Sequence, residues 1–173
     1  MVMETRLSRW LRHRWADDAV GQLPSGFGER IADMIRNSER SHTAEICFYV
    51  ESSLPSSTLW QRCEMQGLLK QRAQQLFATQ RIWDTEHNNG VLLYICLAEH
   101  AVEIVFDRAL VGMQEPQFWD SLAQEVAAQW KATNLERGLT TFVDKITPKL
   151  AAQFPIEPGK INANELSDSP HLG

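Results

Sequence analysis

The chain has 173 residues and a mass of 19.8 kDa, the size of a single domain with a sizeable core. Hydrophobic residues make up 43% and charged residues 23%, values that exclude wholesale disorder. The net charge of -5 gives no global basic field to hold nucleic acid, and the longest apolar run, 91–98, is far short of the ~20 residues a membrane helix needs.

The first segment, Thr5 to Val20, sets Arg6, Arg9, Arg12 and Arg14 against Leu7, Trp10, Leu11 and Trp15. That spacing predicts a short amphipathic helix with a basic face. Membrane-surface contact through residues 5–15 is one use of such a helix. The preferred reading is packing: the tryptophans lie on the chain's own domain and the arginines stay solvated. The same segment lacks the apolar stretch of a secretory signal. Cys47, Cys63 and Cys96 form an odd set within apolar segments, without metal-ligand spacing. A reducing, cytoplasmic location is expected.

A breaker cluster over 21–26 separates this helix from a second, Phe27 to Arg40, with Phe27, Ile31, Met34 and Ile35 at helical spacing. Glu45 to Glu51 is short, apolar on both faces and β-branched or aromatic, the pattern of a central strand. Thr58 to Gln80 reads as one long helix with Leu59, Trp60, Cys63, Leu68, Leu69, Ala73, Leu76 and Phe77 inward. A second buried strand runs from Val91 to Leu97, and Ala98-Glu99-His100 turns the chain into a third, Ala101 to Phe106. Two helices follow, marked by Phe118, Trp119, Leu122, Val126 and Trp130, then by Leu139, Phe142, Val143, Ile146 and Leu150. Pro148 is expected to kink or restart the second of them.

These elements predict an α/β fold, a three-layer α/β/α sandwich with a small mixed central sheet. The chain divides into a basic helix (1–22), an α/β/α domain (23–154) and a polar tail without periodicity (155–173).

Strand one, the long helix and strand two form a βαβ unit with parallel strands, and the hairpin makes strand three antiparallel. One sheet edge then gathers residues 41–45, the loop 83–89 and Asp107-Arg108. Asp84, Glu86, Asp107 and Glu45 would repel one another there unless Arg108 or a divalent cation neutralised them. With Asn88 and Asn89 as neutral donors, the all-oxygen set suits calcium or magnesium. The alternative reading is a solvated loop with an Asn-Gly turn and a plain Asp107-Arg108 ion pair. No organic cofactor is expected, since neither a dinucleotide fingerprint nor a phosphate loop is present. No serine elbow or activated cysteine appears either.

The stretches SERSHTAEICFYVE, RAQQLF, WDTEHNNGVLLYICLAEHAVEIVFDR and LAAQFP, with NELSDSP, resemble the TPM-domain family, in particular bacterial members without a signal peptide. The resemblance covers Leu23 to Pro170 and implies the same sandwich. It implies a range of roles: a plant thylakoid-lumen relative is an acid phosphatase, a nematode one modulates an acetylcholine receptor, and some bacterial ones bind calcium. Carried over by position, Asp84, Asn89 and Asp107 match the polar edge where the family's metal or phosphate chemistry is placed. The chain departs from the branch pattern at Ala98-Glu99-His100, Phe106 and Ala109.

Two functions are therefore expected. The first is an accessory or binding domain for an unknown protein partner or phosphorylated ligand, with a divalent cation held by Asp84, Asn88, Asn89, Asp107 and Glu45. The second is a phosphomonoesterase. In it Asp84 and Asp107 hold the cation, Arg108 stabilises transition-state charge, and His42 or His87 protonates the leaving oxygen.

Overall fold

The computed structural model describes residues 6–16, 18–112, 115–157, 159 and 164–173. The elements run α1 (Arg6–Trp15), α2 (Phe27–Glu39), β1 (Ile46–Glu51), α3 (Ser56–Leu59), α4 (Met65–Thr79), β2 (Val91–Cys96), β3 (Ala101–Phe106), α5 (Pro116–Ala132), α6 (Leu135–Gln153) and β4 (His171–Leu172). The expected helix start at Thr5 lies outside the described residues.

The four-stranded sheet has the order β3-β2-β1-β4. β1 and β2 pair in parallel from Ile46↔Val91 to Glu51↔Cys96, and β2 pairs antiparallel with β3 from Val91↔Phe106 to Cys96↔Ala101. Strand alternation divides the central strands between two cores. Ile46, Phe48, Val50, Val91, Leu93 and Ile95 pack with α2, α5 and α6. Cys47, Leu92, Tyr94 and Cys96 pack with the α4 side through Leu68, Leu69, Ala73 and Leu76. Burial on both faces explains the unbroken apolar runs and completes the three-layer α/β/α sandwich. α5 and α6 approach closely at Gly138, where a Cβ would stand 2.8 Å from the carbonyl oxygen of Val126.

The structure corrects several expectations. The long helix is two: α3 ends at Leu59, residues 60–64 turn, and α4 begins after Glu64. The turn leaves Trp60 and Cys63 exposed rather than inward, and it offers the Cys63 carbonyl to Arg9 Nη1 at 3.1 Å. Of the two outcomes expected at Pro148, a restart does not occur: α6 is one helix through Pro148, with Ile146 and Leu150 on either side buried in the core. The tail contributes a strand that the sequence pattern does not announce, with β4 pairing in parallel with β1 at Tyr49↔His171 and Val50↔Leu172. Finally, α1 does not lay both its tryptophans on the domain. Trp10 packs against the α4-side core, whereas Trp15 is 88% exposed.

Candidate functional site: the strand-start edge

Backbone hydrogen bonds bring the loops together where β1 and β2 begin. Val91 N–H donates to Glu45 O at 2.8 Å, Asp107 N–H to Gly90 O at 3.0 Å, and Ala109 N–H to Asn88 O at 3.1 Å. Gly90 is required by this approach, since a Cβ there would lie 2.1 Å from the Ile82 carbonyl oxygen. Asn88, just before, adopts the left-handed conformation at φ 51°, which asparagine tolerates better than most residues.

The structure separates the residues the sequence brought together into three neighbourhoods. At the first, Asp107 Oδ1 accepts the Arg108 backbone N–H at 2.6 Å, and the Arg108 guanidinium donates to Asn88 Oδ1 at 2.6 Å. Asp107 Oδ2 is buried and has no hydrogen-bond partner. Asp84 is instead held by Arg81, with 2.5 Å between Nη2 and Oδ2, and both are largely exposed. His87 is exposed in the same loop.

Asn89 serves the second neighbourhood. It is fully buried; its amide donates to Thr43 O at 3.0 Å, and its oxygen accepts from Thr85 Oγ1 at 3.3 Å. Both ends of the side chain are thus engaged in tying the loop to the entrance of β1. His42 is equally enclosed, with Nε2 at 2.9 Å from Ser38 Oγ and Nδ1 at 3.0 Å from Ala44 O. Burial lowers its pKa to about 4, so the ring is neutral at physiological pH.

The third neighbourhood is a buried acidic group that sequence reasoning found only in part. Glu45 is 1% exposed; Oε2 accepts the Leu166 backbone N–H at 3.1 Å, and Oε1 has no partner. Glu39 accepts the Ile46 N–H at 2.8 Å, capping the first residue of β1. The tail adds Asp168, which accepts from Asn164 at 2.7 Å and faces Arg36 at 3.7 Å. It also adds Glu165, whose carboxylate receives the Glu86 N–H at 2.9 Å. Burial raises the Glu39 pKa to about 8 and the Glu45 pKa to about 7, against the opposing pull of their backbone hydrogen bonds. Glu39 carried a sequence signal: it lies four and eight residues after Ile35 and Ile31, on the inward stripe of α2.

Among the described residues no group of three or more His, Cys, Asp or Glu side chains is arranged to hold a metal ion. The first neighbourhood offers an unpartnered carboxylate oxygen of Asp107, the carboxamide oxygen of Asn88 and the Arg108 guanidinium within one loop junction. That set can take a hard cation that keeps most of its water, or a small anion drawn by Arg108.

The sequence profile of the TPM domain matches residues 17–149. In fold, the chain is similar to the solution structure of the BA42 protein from the psychrophilic bacterium Bizionia argentinensis. The TM-score is 0.71 at 24% identity, covering 88% of this chain and 96% of that one. It is also similar to the N-terminal domain of a protein from P. gingivalis, with a TM-score of 0.58, 17% identity, and coverage of 89% and 96%. No curated protein matches the chain.

Proposed function

The chain belongs to the TPM-domain family, and from that premise we propose that it is an accessory binding domain whose strand-start edge takes a hard divalent cation, calcium or magnesium, through Asp107. The observation that carries this reading is the buried, unpartnered Asp107 Oδ2 beside Asn88 and Arg108. A buried carboxylate oxygen without a donor is costly, and a cation with its water shell relieves that cost. Asn88 Oδ1 is the natural second donor, and Asp84 the third if it leaves Arg81. Asn89 is not needed as a ligand, because both ends of its side chain are engaged, and Glu45 belongs to the separate acidic group joined to the tail. The cation supplies positive charge that ties the loop before β2 to the exit of β3.

A phosphomonoesterase is the second reading, favoured by the exposed Arg108 next to Asp107. It is the weaker one because it needs a proton donor. His42 has both ring nitrogens occupied and a pKa near 4, which leaves His87.

A thermal-shift titration with calcium, magnesium and manganese, on wild type and on Asp107→Asn, tests the proposal. A rise in melting temperature with cation concentration that Asp107→Asn abolishes is the expected result. No shift with any of the three ions overturns the cation site. Hydrolysis of an aryl phosphate that disappears in Asp107→Asn would replace the binding reading with the enzymatic one.

A further inference from the structure

α1 is inside out. On a ten-residue helix, Leu7, Leu11 and Trp15 recur every four residues and share one face, yet they are 58%, 44% and 88% exposed. The face turned to the domain carries polar groups beside Trp10, with Arg9 at 7% and His13 at 1% exposure. Specific bonds explain the orientation. Arg9 donates to the Cys63 carbonyl. His13 Nε2 meets Glu99 Oε1 at 2.8 Å, while its Nδ1 accepts the Leu54 N–H at 3.1 Å. Arg12 reaches the same Glu99 at 2.9 Å. These contacts, together with Trp10 on the α4-side core, fix the orientation of α1 and leave the Leu7-Leu11-Trp15 stripe on the surface.

We infer that this stripe is a docking face for an anionic lipid surface. The arrangement of charge selects the occupant. At 100° per residue, Leu7, Leu11 and Trp15 span about 80° of arc, with Arg14 on one border and Ser8 then Arg12 on the other. Arg12 and Arg14 are both exposed. An apolar stripe bordered by arginines suits a headgroup boundary. There the leucines and Trp15 enter the acyl region while the bordering arginines sit at headgroup level, Arg12 with its guanidinium already shared with Glu99. A second copy fits less well, because two stripes facing each other would bring the bordering arginines together. The acidic remainder of the chain, at a net -5 overall, keeps the attraction local to this helix. Among the described residues no helix is long and apolar enough to cross a membrane, so the contact is with the surface.

Co-sedimentation of the full chain with phosphatidylcholine vesicles, and with vesicles containing phosphatidylglycerol, tests the inference at low and high salt. Binding is expected to the anionic vesicles at low salt and to fall as salt rises. Leu7→Ser/Leu11→Ser/Trp15→Ser is expected to weaken it by at least about tenfold, and Arg14→Gln by about fivefold. The three apolar side chains are exposed, so the melting temperature of the triple variant should match wild type and separate docking from folding. Absence of binding to anionic vesicles overturns the inference, as does equal binding by the triple variant. A wild-type dimer in the absence of lipid that the triple variant loses also overturns it, assigning the face to a second copy.

Discussion

The carboxylate of Glu45, at the entrance of β1, accepts the backbone N–H of Leu166, a residue 121 positions further along the chain. This bond fastens the tail to the same edge that the three loops build. The other oxygen of Glu45 has no hydrogen-bond partner. Leu166→Pro removes the donor while keeping an apolar side chain. The expected cost is about 1–3 kcal/mol for a buried acceptor left unsatisfied, read by urea denaturation. Residues near the cut edge of β1 should lose amide protection first. A variant with wild-type stability would show that the tail is not held at this point.

The acidic group also makes stability depend on pH. The folded chain keeps protons on Glu45 up to about 7 and on Glu39 up to about 8, whereas the ordinary carboxylate value is 4.5. Because the folded state binds more protons, their contribution is fully present below 4.5 and is lost as pH rises through those values. His42 has the opposite sign. Its pKa falls from 6.5 to about 4 on folding, so its contribution is lost as pH falls across that interval. The clean window therefore lies above 6.5. Denaturation midpoints of wild type should decline from there to beyond 8, and Glu39→Gln and Glu45→Gln should each flatten the decline. A wild-type midpoint that is level or rising over this window would remove the argument.

The cores were legible because their strands are buried on both faces. Ile46 to Val50 and Val91 to Cys96 read as continuous apolar runs, and the hairpin to β3 follows from the short turn. The break at residues 60–64 was not legible, because Trp60 and Cys63 fit the helical spacing of the residues that follow. β4 escaped notice for a related reason. Two residues carry no periodicity, and what places them is pairing with Tyr49 and Val50 rather than their own pattern. At the candidate site, topology was enough to bring Asn88, Asp107 and Arg108 together. It could not tell that Asp84 turns to Arg81 or that Glu45 turns to the tail. The orientation of α1 ran against the usual rule that apolar faces point inward. Arg9 and His13 found acceptors and donors on the domain that a one-dimensional pattern does not contain.

Gly90 provides a sharp test of how the edge is built. Its α-carbon sits where any side chain would enter the Ile82 carbonyl, and that carbonyl belongs to backbone that cannot simply rotate away. Gly90→Ala should therefore cost at least about 1–3 kcal/mol, the usual range for overpacking. Because Gly90 O accepts from Asp107 N–H, the displacement should pass to the Asp107 loop. Amide chemical shifts of Asn88, Asn89 and Asp107 should move more than those of β2 beyond Leu93. A variant as stable as wild type would mean that the loop before β2 is more yielding than its contacts indicate.

The opposite edge of the sheet carries a buried ion pair that depends on both partners. Arg72 on α4 meets Glu51 at the end of β1, with Nη2 2.6 Å from Oε1 and Nε 3.1 Å from both carboxylate oxygens. Tyr94 on β2 donates its hydroxyl to Glu51 Oε2 at 2.7 Å, so α4 and two strands share one carboxylate. The side chains are only 15% and 8% exposed. Removing the cation alone leaves a nearly buried negative charge with one neutral donor, and Arg72→Met is expected to cost about 3–5 kcal/mol. Tyr94→Phe keeps the ion pair and should cost about 1.5–3 kcal/mol, the worth of a hydrogen bond to a charged group. Arg72→Met combined with Glu51→Gln should recover part of the loss, because the uncompensated charge has gone. Chemical denaturation of the three variants gives the comparison. If the double variant is less stable than Arg72→Met by the full cost of a second independent mutation, the two side chains are not coupled as their geometry requires.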